Sequence, residues 1–133
     1  MSEPLEVLQP EGWPRPSGYA NGIAATGRLI FVAGQVGWNP ETCQFEIDDF
    51  VAQTAQALRN VIAVLRAAGA EPRHVVRLTW FITDKAAYLA SQREIGIAYR
   101  EVMGRHYPAM SVAVVAGLVE GEAKVEIEAT AVI

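Results

Sequence analysis

Between Asp48 and Thr83 the spacing of apolar side chains changes period, and that change limits the folds open to the chain. Phe50, Val51, Ala55, Leu58, Val61, Ile62, Leu65 and Ala68 recur at intervals of three or four, which places them on one stripe of a helix. Asp48 or Asp49 stands where it can cap the first turn, and Gly69 and Pro72 close the end. In HVVRLTWFIT the interval falls to two. Val76, Leu78, Trp80 and Ile82 then share one face of a strand, and Arg77, Thr79 and Phe81 share the other.

The flanking segments extend the pattern. GIAATGRLIFVAGQ reads as two short strands joined at Thr26-Gly27 in a hairpin, because β-branched and aromatic residues flank a glycine able to take positive φ. Asp84 caps a second helix carrying Tyr88, Gln92, Ile95, Tyr99, Val102 and Met103, with Gly104 at its stop. MSVAVVAGL and AKVEIEATAVI follow as strands separated by the turn-prone VEGE. The order of strands, helix, strand, helix, strands is α+β, and 133 residues fit one domain, 1–133. Two helices cannot cover both faces of such a sheet, so they are expected on one face, with the other hidden in a homo-oligomer.

Charge excludes some functions. The net charge is −4 and the eleven Lys and Arg form no run, so no basic stripe exists to neutralise a phosphate backbone, and no nucleic-acid partner is expected. The start, MSEPLEVLQP, is acidic where a signal peptide needs a basic segment, and no stretch approaches the roughly 18 apolar residues of a membrane span. A cytoplasmic protein without membrane attachment is the expectation. Cys43 with His74 and His106 makes no zinc spacing, so no metal is expected. His106, in GRHYPAM, has no carboxylate or nucleophile at a fixed spacing and reads as a surface histidine.

A few positions remain as candidates for chemistry. In KVEIEA the period of two puts Glu126, Glu128 and Thr130 on one strand face, with the two carboxylates about 6–7 Å apart. A solvated strand face would look the same, but this is the face expected to meet a neighbour. Ala33, Gly34 and Gln35 end a strand with small residues that let a ligand approach backbone amides. Trp38 opens the turn GWNPETCQ as either core anchor or pocket wall, and Tyr19 lies outside any apolar periodicity with its hydroxyl free to bind. PAMSVAVV, Pro108 to Val115, is an uncharged strand that suits either a core or a pocket wall.

Taken together, GYANGI, FVAGQVGWNPETCQF, QALRNVIAVLRAAGA, VVRLTWFITD, YREVMGRHYPAMSVAVV and KVEIEATAV resemble, in order and spacing, the RidA (YjgF) family of reactive-intermediate deaminases. The resemblance implies a chorismate-mutase-like α+β subunit, with a mixed β-sheet and two helices on one face, assembled as a homotrimer with a small-molecule cleft at each subunit interface. Members that act as deaminases hydrolyse imines and enamines to keto acids and ammonia without a cofactor. By the same resemblance Tyr19 looks like the pocket tyrosine, Gly34 with its neighbour Ala33 looks like the backbone-lined loop, and Glu126 is similar to the glutamate that positions water.

Met110, followed by Ser111, stands where active members of that family carry an arginine in a PARS-like segment, and Gly96 falls near the place of a family asparagine. A thioether cannot clamp a carboxylate as a guanidinium does, so Met110 and Trp38 are expected to make the pocket more apolar. The expected substrate is a small imine, enamine or related carbonyl compound whose carboxylate is missing, masked or held elsewhere, with Arg77 or Arg105 as replacement cations. The alternative is a noncatalytic ligand-binding or regulatory trimer. RNA cleavage is disfavoured by the absence of a basic stripe and of paired histidines.

Overall fold

The computed structural model describes residues 5–133. Six strands and three helices follow one another as β1 (Leu5–Leu8), β2 (Gly22–Ala25), β3 (Leu29–Val36), α1 (Phe50–Ala67), β4 (Val75–Ile82), α2 (Lys85–Ala90), α3 (Gln92–Met103), β5 (Ala109–Val114) and β6 (Val125–Val132), with a short 3-10 turn at Pro72–His74. The main sheet has the order β3-β6-β4-β5. β6 runs antiparallel to both neighbours, whereas β4 and β5 are parallel. A parallel pair needs a crossover, and α2 with α3 supplies it.

α1 starts where Asp49 accepts a hydrogen bond from the Ala52 amide, and it packs on β3, β6 and α3. Leu58, Val61 and Leu65 are fully buried against Leu78, Ile82, Val125 and Ile127 from the sheet. The opposite sheet face has no such cover. Leu29 and Phe31 remain 59% and 72% exposed there, so the two long helices, α1 and α3, pack on the one side of the sheet that holds the core.

Three local readings change. β2 and β3 do not form a hairpin; β2 pairs with β1, and β3 pairs with β6. Gly27 turns the chain between the two sheets at φ 143°, and an added Cβ would sit 2.5 Å from the Ile133 carbonyl oxygen. Arg28 and Ile133 exchange backbone hydrogen bonds, which fastens β3 to the end of β6 instead. In β4 the register shifts between Val75 and Arg77, so Val75 is buried and Val76 only half-buried. The second helical stretch breaks at Ser91, whose amide bonds back to Tyr88 O, although neither glycine nor proline stands there.

Three polar side chains of α1 are buried in the core layer; Thr54 donates back to Phe50 O in its own helix, and the other two, Gln53 and Asn60, reach beyond it. Gln53 donates to Ile47 O and Glu122 O, both at 3.0 Å, and accepts from the Lys124 amide at 2.8 Å. It ties the loop before α1 to the loop before β6. Asn60 donates to Val36 O and Trp38 O and accepts from Gln56, which holds the end of β3 on the helix. Between them Gly37 lies so close to α1 that an added Cβ would meet Gln53 O at 2.5 Å.

Candidate functional site

Glu126 alternates with the buried Val125 and Ile127, so its side chain stands on the bare face. Its half-buried carboxylate has a specific neighbour. The register of β3 against β6 shifts between Val32 and Gln35, and Gly34 falls in that irregularity. An added Cβ at Gly34 would come within 2.6 Å of Glu126 Oε2, 2.7 Å of Cδ and 2.8 Å of Cγ. The glutamate therefore rests against the Gly34 backbone, in space that any other residue would fill. Ala33 lies beside it, exposed, and its carbonyl accepts from the Gln35 amide group.

Met110 occupies the other side. In β5 it pairs with Leu78, which is fully buried under the helices, so Met110 faces the helix layer, whereas Ser111 pairs with Thr79 and shares the bare face with Glu126 and Glu128. Tyr19, 41% exposed, lies at the outer edge of β5, where the Ala20 amide donates to Pro108 O. Two clefts meet at Tyr19 and Met110. One, of about 740 Å³, opens between β5, α2 and α3; the other, of about 670 Å³, opens towards Arg77, Ser111 and Thr130.

Tyr19, Met110 and Ser111 are thus brought together, as are Ala33, Gly34 and Glu126, but the sheet itself separates Met110 from Glu126. Trp38 joins neither group. Its ring lies 5.7 Å from that of Phe45, and its carbonyl is held by Asn60. Arg105 is exposed and lines neither cleft, whereas Arg77 lines the second.

His106 is no free surface group, since its Nε2 lies 2.7 Å from Val75 O and its carbonyl accepts from Tyr99 Oη. His74 Nδ1 accepts from the Glu71 amide, and burial, with the Arg73 charge beside it, lowers the His74 pKa. Neither histidine lines either cleft. Gln53 and Asn60, which hold the start of β6 and the Val36–Trp38 segment, show in the sequence only as two polar side chains seven residues apart on a helix.

A Gly34→Ala variant tests the contact. The added methyl group meets the flexible end of Glu126, so stability should change by less than about 1 kcal/mol, while displacing the carboxylate by about 1 Å should cost at least tenfold in any reaction that the carboxylate serves. Thermal melting and initial rates measured side by side check this; a rate equal to wild type removes the carboxylate from the reaction.

Fold and site define a small α+β protein with a mixed sheet, a bare sheet face and a carboxylate seated on a strand irregularity. The family model described as endoribonuclease L-PSP matches residues 14–133. A solved structure of YyfB, a conserved Rid family protein of unknown function from Yersinia pestis, superposes with a TM-score of 0.86 at 34% identity, covering 98% of this chain and 100% of that one. TdcF of E. coli, solved with bound serine, gives 0.69 at 31% identity, over 96% of this chain and 98% of its own. Reactive Intermediate Deaminase A of Arabidopsis thaliana, a chloroplast protein, is 35% identical over 127 residues, 95% of this chain and 65% of that protein. This chain belongs to the endoribonuclease L-PSP family, that of the Rid and YjgF proteins.

Proposed function

We propose that the chain forms a homotrimer through its bare sheet face, and that a cleft between copies binds and hydrolyses a small imine or enamine. The observation that carries this reading is the division of the site. In one chain Glu126 stands on the bare face and Met110 on the helix side, so one small molecule touches both only if they come from different copies. Exposed Leu29 and Phe31 give the contact its apolar area. The relative named as a reactive-intermediate deaminase and the relative with bound serine fit such a cleft and such a substrate.

Chemically, Glu126 takes a proton from a water molecule as the oxygen adds to the imine carbon. The proton moves to nitrogen to give a carbinolamine; Glu126 then relays the hydroxyl proton to nitrogen as the C=O bond forms and the C–N bond breaks, and ammonia leaves. The hydrolysis is redox-neutral, so it needs no redox cofactor. Tyr19, Ser111 and the backbone around Gly34 orient the substrate. The second reading, a noncatalytic ligand-binding trimer, draws on Met110, whose thioether supplies no charge to a substrate carboxylate.

Light scattering on the purified protein should give three times the chain mass of 14.4 kDa. Imines generated in situ by an amino-acid oxidase should release ammonia faster with the protein than without it. Ammonia release equal to the buffer rate across acidic and neutral imines would establish the noncatalytic reading, and a monomer would remove the shared cleft.

A further inference from the structure

The 740 Å³ cleft between β5, α2 and α3 has a composition of its own. Its walls are aromatic: Tyr88, Tyr99, Tyr107 and Trp80 surround Met110, and Tyr99 and Tyr107 stack with ring centroids 5.5 Å apart. No acidic residue lines it, whereas two arginines of α3, Arg93 and Arg100, do. Neither arginine has an ion-pair partner among the described residues. Trp80, 2% exposed, carries the buried side-chain donor without a partner, Nε1–H.

Gly96 explains how Arg100 reaches this wall. It lies one turn before Arg100 on the same helix face, and an added Cβ there would meet only Arg100 Nη1, at 3.4 Å. A glycine inside a helix is unfavourable relative to alanine, and here it leaves a bare patch of helix over which the guanidinium folds back beside the cleft.

We propose that Arg100, laid across Gly96, is the anion anchor of this cleft, and that the ligand is a small carboxylic acid with an aromatic body. The aromatic walls take the ring, and the guanidinium takes the carboxylate as a charge-assisted hydrogen-bonding partner. Arg93 adds positive charge at the same rim. This names the ligand class for the Tyr19–Met110 half of the site proposed above and rests on that reading.

The probes are 3-phenylpropionate and its neutral isostere 3-phenylpropionamide, titrated calorimetrically into the intact protein. Wild type should prefer the acid by roughly tenfold at low salt, and added salt should reduce the preference. Arg100→Gln should abolish the preference without weakening the amide, and Met110→Arg in that background should restore it by returning a guanidinium to the same cleft. An undiminished preference in Arg100→Gln, or its loss in Arg77→Gln instead, overturns the assignment to Arg100 and leaves the shared-cleft reading standing. If wild type binds neither probe, the aromatic-acid ligand class falls, whereas the shared-cleft reading stands or falls separately on the trimer mass and on ammonia release.

Discussion

Replacing Glu126 with glutamine is expected to lower imine hydrolysis by about 10²–10⁴-fold, because the amide cannot accept the proton that water must lose as it attacks. The substitution preserves shape, so the Gly34 contact and the fold should survive. Ligand affinity should be nearly unchanged, placing the whole effect in kcat. Two outcomes are informative. A variant with full turnover would show that another group handles the proton, and a variant that loses binding and turnover together would make Glu126 a ligand contact instead of a base.

The second large effect belongs to a residue that touches no substrate. Gln53→Leu keeps most of the side-chain volume but strands Ile47 O, Glu122 O and the Lys124 amide at once. Each unmade bond in a buried setting costs about 1–3 kcal/mol, and partial access of water to the loops holds the total near 3–5 kcal/mol. For a domain of this size that is a fall in Tm of roughly 10 °C or more. Calorimetry measures it directly. Because Lys124 immediately precedes β6, turnover should fall as well, since Glu126 depends on that loop for its position. A melting temperature within 2 °C of wild type would mean that water replaces all three bonds.

The layers of this fold were legible because they rest on period. α1 was readable from Leu58, Val61, Ile62 and Leu65 together with an aspartate cap, and all four are buried. The face of β4 was readable from Leu78, Trp80 and Ile82, but not at its start, where a register shift moves burial from Val76 to Val75. Pairing was less accessible. The residues around Gly27 announce two strands, yet their partners lie elsewhere, since β3 joins β6 about a hundred residues downstream and nothing local encodes that choice. The break at Ser91 carries no glycine or proline to announce it.

The site shows the same division. Glu126, Gly34, Tyr19 and Met110 were each singled out by residue type and resemblance. Their distribution over two faces of the sheet depends on strand register, which places Met110 opposite Leu78 and Glu126 opposite Phe81. Arg100 escaped notice because an exposed arginine on a helix is ordinary; only its approach to Gly96 in three dimensions marks it out. Trp38, which the sequence leaves open between core anchor and pocket wall, packs on Phe45.

β5 has a further consequence. It is an outer strand of the main sheet, it carries no charge, and its residues from Ser111 to Val114 are exposed. Outer strands of soluble proteins commonly carry a lysine, a proline or a bulge that discourages stray pairing. Here the shield is the bridge from Ala20 to Ala109, which guards one end. Beyond it, Val112 to Val114 offer open amides and carbonyls to any extended segment, so this stretch is where a misassembled or aggregated form of the chain would begin to template itself.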